Sequence, residues 1–174
     1  MNRSCGDCQL CCRLLPVKDL PKPAGQRCKH QKHAKGCGIY ARRPMSCRLW
    51  SCAWLDDPQT SALARPDRAH YVIDPMPDFV TIDYLDGEKL QVPVLQIWCD
   101  PKYPHAHRDP KLRAMLNLNQ APAIVRYDNK RATVIFPPSK SSDGQWHEID
   151  HGINVAEHSR LEIAQVCGPV MTGD

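Results

Sequence analysis

Phe79-Val-Thr-Ile-Asp-Tyr-Leu-Asp86-Gly87-Glu-Lys-Leu-Gln-Val-Pro-Val-Leu-Gln-Ile-Trp98 is the stretch that decides the fold class. Phe79, Thr81 and Asp83 alternate with Val80, Ile82 and Tyr84, the period of two expected of a strand with unlike faces. Asp86-Gly87 is a hairpin turn signal, and Leu90–Trp98 reads as the partner strand. Upstream, His70–Asp74 is another short β-rich run. Downstream, Asp109 is placed to cap a helix that Pro110 opens, with Leu112, Met115 and Leu116 on one face. Ala123–Tyr127 and Ala132–Phe136 flank Asp128-Asn129-Lys130-Arg131 as a second hairpin, and Asn154–Val166 reads as a final helix. The expectation is an α+β chain: a small antiparallel sheet with one or two helices.

The N-terminal third has a different character. Ten cysteines occur in 174 residues, and eight of them fall in the first 52. That local density, about 15%, exceeds the level at which cysteines define a scaffold. Residues 16–27 hold three prolines and a glycine and read as an extended loop. Residues 56–68, with Pro58 and Pro66, read as a connector with one helical turn. The boundary is therefore set at residue 56. Residues 1–56 form a small irregular cysteine-rich metal-binding module, and residues 57–174 form the α+β region packed with it.

Compartment decides what the cysteines are for. No run approaches the ~18 apolar residues of a membrane helix, and the mean hydropathy is −0.49. Met1-Asn-Arg-Ser-Cys-Gly-Asp-Cys8 has no apolar segment of the secretory kind, so the expected location is the reducing cytoplasm. Dense cysteine there points to metal or redox chemistry rather than to disulfides.

Cys5-Gly-Asp-Cys8-Gln-Leu-Cys11-Cys12 is a C-x2-C-x2-C-C run. Two intervening residues let the chain turn back, so that both sulfurs reach an ion at about 2.3 Å. Gly6 supplies the backbone freedom for that turn. Adjacent Cys11 and Cys12 project differently and do not suit one ion together, so one of them faces a second metal or a remote ligand completes each site. Cys28, Cys37, Cys47 and Cys52 are the remote ligands on offer, at spacings that match no standard zinc finger. Eight cysteines equal two four-sulfur sites. The count fits two zinc ions, or an iron–sulfur cluster with or without zinc, or one site with spare thiols. His30 and His33 are alternative nitrogen ligands, or part of a solvated basic loop with Lys29, Lys32 and Lys35. A redox pair at Cys5 and Cys8 would need a preceding strand, which four residues do not provide.

The same run, followed by Cys28 and by Cys37-Gly-Ile-Tyr40-Ala-Arg-Arg43-Pro44-Met-Ser-Cys47-Arg48-Leu-Trp-Ser-Cys52, resembles the YkgJ-type CxxCxxCC family over about residues 1–54. The resemblance implies zinc or iron chelation by Cys5, Cys8, Cys11, Cys12, Cys28, Cys37, Cys47 and Cys52. Some relatives of this motif are associated with lysine methylation of flagellin, so an iron–sulfur enzyme of redox or methyl-transfer type is the runner-up expectation. Arg43-Pro44 should end a local turn. Ile39, Tyr40, Leu49 and Trp50 are the expected apolar cap beside the metal.

Charge leaves one further partner class open. Residues 1–54 carry eleven Lys/Arg against two acids, while the remainder carries twelve against seventeen. Such a front compensates a thiolate site, or binds nucleic acid through Arg3, Arg13, Lys18, Lys29, Lys32 and Arg42. The lack of interleaved aromatics argues against nucleic acid. No membrane partner is expected. Cys99 and Cys167 are isolated and read as small buried apolar residues. Asp100, His105, His107 and Asp109 form a carboxylate–imidazole group that reads as a solvated turn rather than a metal site. Trp146-His147-Glu148 and Asp150-His151 are polar residues near a strand end, with no role assigned.

Overall fold

A computed structural model describes residues 3–33, 35–83, 87–128 and 130–152. The helix expected at 154–166, Cys167 and Asp86 of the first turn lie outside the described residues.

The cysteine-rich segment is built from very short elements. These are α1 (Leu10–Leu14), the two-residue strands β1 (Gln31–Lys32) and β2 (Gly36–Cys37), α2 (Met45–Leu49), α3 (Ala53–Asp56) and α4 (Pro66–Ala69). A single 3₁₀ turn at Tyr40–Arg42 ends where Arg43 turns extended before Pro44, as the Arg-Pro pair predicts. The loop expected over 16–27 doubles back on itself, because Val17 N donates to Lys22 O at 2.9 Å.

The remainder is a five-stranded sheet: β3 (Tyr71–Asp83), β4 (Lys89–Cys99), β5 (Ala123–Arg126), β6 (Arg131–Phe136) and β7 (His147–Gly152), in that order. With α5 (Pro110–Leu118), this is the expected α+β class. Three details differ from expectation. The two runs at 70–74 and 79–84 are one strand, interrupted by a bulge between Asp74 and Asp78 that contains Pro75 and Pro77. Prolines are tolerated there because β3 lies at the sheet's edge and the bulge breaks the ladder anyway. The β4–β5 pair is parallel, since α5 carries the chain across between them. And β7 extends the sheet through residues whose polarity concealed a strand.

Alternation along β3 and β4 sorts the core onto two faces. Tyr71, Ile73, Ile97 and Cys99 point to one side, where Leu112 and Leu116 of α5 close over them with Ala123, Val125 and Ile135. Val72 and Trp98, register partners, point to the other, where Leu10, Leu14, Leu15, Ala24 and Cys52 cover them. The cysteine-rich segment is thus seated on the face opposite α5. A third cluster, Ile82, Val134, Phe136 and Ile149, fills the far end. Asp109 caps α5 by accepting from Lys111 N at 3.0 Å, with Pro110 in the first turn.

Candidate metal centre

The first cysteine loop is a turn closed by Cys8 N donating to Cys5 O at 2.8 Å. Gly6 takes φ +52°, and a Cβ there would sit 3.2 Å from the Arg65 guanidinium, so a side chain meets strain and crowding together. Arg65 holds Asp7 at 2.7 Å and Asp67 at 2.6 Å, fixing the loop against the start of α4. The chain then enters α1, whose successive residues leave the axis about 100° apart. Cys11 consequently packs with Cys8 against the cluster containing Leu10, Leu14 and Cys52. Cys12 leaves on another side.

On that side the backbone brings in a different group. Cys28 N donates to Cys12 O at 2.9 Å, and Gln31 N to Cys28 O at 3.0 Å. Gln31 is the register partner of Cys37 in the β1–β2 hairpin. Gln31 Nε2 also donates to Gln9 Oε1 at 2.8 Å, and Gln9 Nε2 to Lys32 O at 2.9 Å, lashing the hairpin to the first loop. Cys47 sits on α2, anchored where Ser46 Oγ donates to Asp19 Oδ2 at 2.8 Å.

Thiol electrostatics follow the same geography. Burial pushes up the thiols of Cys5, Cys8 and Cys47, and takes Cys52 to about 11. Cys11 donates its S–H to Cys12, which raises Cys11 and lowers Cys12 to about 7, with the Lys22 ammonium assisting. Cys52 feels the charges of Cys5 and Cys8, whereas Cys47 feels those of Cys12, Cys28 and Cys37.

Lys22 is the residue that sequence reading passed over. It is only 6% exposed, in a loop read as solvated. Its Nζ donates to the carbonyls of Leu15 and Pro23, and among the described residues no carboxylate pairs with it. Around it lie Cys28, Cys12, Cys11 and Cys47. A buried ammonium without an anion costs several kcal/mol, and thiolates are the anions within reach. Lys22→Met should therefore stabilise the metal-free protein while weakening metal retention at least tenfold, measured by competition with a chromogenic chelator. Equal retention in the two proteins would refute that role.

The nine described cysteines are all free. Among the described residues, no three Cys, His, Asp or Glu side chains yet close around a common point. The donor set nevertheless suits a thiophilic ion: eight soft sulfurs around one short helix, with a cation supplied to offset them. His30 contributes its carbonyl to Gly38 N at 2.7 Å, and His33 is exposed on the hairpin. The expected apolar cap is half absent: Ile39 and Trp50 are half-buried, but Tyr40 and Leu49 are exposed, Tyr40 lying under the Arg43 guanidinium.

The basic front is partly consumed inside the molecule. Arg3 donates to Trp54 O and Thr60 and stacks on the Trp54 ring, and Arg13 pairs with Asp100 at 2.7 Å. Of the six cations considered for nucleic acid, Lys18, Lys29, Lys32 and Arg42 are exposed.

Residues 100–109 are not the solvated turn expected. Asp100 is buried on Arg13, Asp109 accepts from Tyr71 Oη at 2.9 Å, and His107 is 2% exposed. His107 Nε2 lies 3.5 Å from Glu148, whose oxygens are held by Arg108 and Arg113. Burial, then Arg108 and Arg113, lower the His107 imidazole from 6.5 to about 4. The unfolded chain thus takes up this proton at higher pH than the folded one. Stability is unaffected above pH 6.5, falls as the pH drops from 6.5 to 4, and levels off below that, by about 3 kcal/mol in all. Urea unfolding across that window should show the loss, and His107→Gln should flatten it. Cys99 is fully buried in the α5-side core, and burial pushes its thiol up to about 12, in keeping with a small apolar residue. Among the described residues, no helix is long and apolar enough to cross a membrane.

No protein-family model, curated protein or solved structure matches this chain.

Proposed function

We propose that this chain is a metal-binding protein that chelates zinc or iron through Cys5, Cys8, Cys11, Cys12, Cys28, Cys37, Cys47 and Cys52, in a reducing, cytoplasmic setting where free thiols persist. The observation that supports the reading is the gathering of eight free thiols about α1, with one buried ammonium among them and no carboxylate to match it. In the absence of a cation, burial keeps most of these thiols protonated. A divalent ion displaces the protons and supplies the charge that makes eight thiolates tolerable. The resemblance of residues 5–52 to the CxxCxxCC family agrees with this chemistry.

Anaerobic purification followed by elemental analysis tests the reading. Stoichiometric zinc in a colourless sample supports zinc chelation. A brown sample with iron and acid-labile sulfide supports an iron–sulfur centre. A folded protein that carries neither metal and takes up neither on reconstitution would overturn the proposal.

A further inference from the structure

The eight thiols do not surround one point evenly. We propose that they divide into two four-sulfur sites sharing no ligand: Cys5, Cys8, Cys11 and Cys52 on the sheet side of α1, and Cys12, Cys28, Cys37 and Cys47 on its other side. The inference rests on the chelation reading and adds the membership of each site. Chain order would have grouped the four clustered cysteines against the four dispersed ones. The structure cuts across that order, taking one residue from each block into the other.

Three independent observations carry the division. Helix geometry sends Cys11 and Cys12 to different sides of α1, so the helix itself is the partition. Packing then sorts the first set: Cys8 and Cys11 touch the apolar cluster in which Cys52 is buried, and the Cys5–Cys8 turn brings Cys5 alongside. Backbone hydrogen bonds sort the second: Cys28 is tied to Cys12 directly and to Cys37 through Gln31. The pairwise charge interactions follow the same cut, linking Cys52 to Cys5 and Cys8, and Cys47 to Cys12, Cys28 and Cys37.

The sites also differ in setting. The first is backed by Leu10, Leu14 and the Trp54 side chain. Three of the four thiols facing Lys22 belong to the second. Four thiolates and a divalent ion leave two negative charges, and Lys22 cancels one of these in the second site alone. The second site is therefore the less charged and the more open, and its ion should exchange first.

Cadmium-substituted full-length protein tests this directly, because cadmium-to-Hβ correlation spectra report which cysteines bind each ion. Two cadmium signals, each correlated with the four cysteines of one set, are the expected result. A cysteine correlated with both signals, or sets of different membership, would overturn the division while leaving chelation intact. Absence of any cadmium binding would overturn chelation itself. Metal counts on variants supply a second reading. Cys5→Ser/Cys8→Ser should lose one of two ions, and Cys8→Ser/Cys37→Ser should lose both, with sheet integrity checked by far-ultraviolet circular dichroism. Loss of both ions from the first double variant contradicts the assignment.

Discussion

Stripping the metal with a strong chelator should unfold residues 5–56 and leave the five-stranded sheet standing. The helices of that segment are five, five and four residues long, and its strands two each. Helices so short have no stability of their own, because nucleation is unfavourable and propagation barely begins. The apolar cluster beneath them is small, and Val72 and Trp98, two of its seven buried members, belong to the sheet. What remains is metal coordination, which contributes about 10–16 kcal/mol to small zinc modules near neutral pH. The sheet has separate support in the clusters around Leu112 and Leu116 and around Phe136. Limited trypsinolysis after chelation should therefore cut at the exposed Lys29, Lys32, Lys35, Arg42 and Arg48 and spare residues 71–152. Trp50 and Trp98 emission should shift to the red at the same time, and re-addition of metal should reverse both changes. Unaltered cleavage after complete metal removal would show that the segment folds on packing alone.

The sheet was legible where alternation and turn chemistry agreed. Phe79–Asp83, Leu90–Trp98 and Ala132–Phe136 carry period-two patterns, and Asp109-Pro110 carries a capping signal, so local sequence and fold point the same way. The parallel β4–β5 pair could have been inferred as well: a helix between two strands is what a crossover requires. Other features had no local signature. β7 offers the core a single clear apolar residue, Ile149, and uses Glu148 to gather Arg108 and Arg113 from elsewhere. The bulge at 74–78 hides one strand as two, since Pro75 and Pro77 read as breakers. At the cysteine site, composition indicated soft-metal chemistry, while the neighbours of each thiol depend on backbone contacts between loops, such as Cys28 N to Cys12 O. Lys22 was invisible for the same reason. A lysine in a proline-rich loop reads as solvated until the loop folds back and buries it.

Asp74→Ala should destabilise the protein by about 4 kcal/mol, because one buried carboxylate joins the cysteine-rich segment to the sheet. Asp74 is 7% exposed and sits where the β3 bulge begins. Its Oδ1 accepts from Trp50 Nε1 at 2.8 Å and from Met76 N at 3.1 Å, and its Oδ2 from Trp98 Nε1 at 3.3 Å. Among the described residues no cation pairs with it, so these three donors carry the whole cost of its burial. Alanine leaves the buried Trp98 indole N–H without an acceptor and frees Trp50, which lies between Cys47 and Cys52. Asparagine keeps one carbonyl acceptor for one indole and should cost roughly half as much. Urea unfolding followed by tryptophan emission measures both variants. The freed Trp50 also loosens the chain between a ligand of one proposed site and a ligand of the other, so metal should leave Asp74→Ala faster while its stoichiometry holds. An alanine variant within about 1 kcal/mol of the parent would mean that packing of Val72 and Trp98, rather than this carboxylate, seats the segment on the sheet.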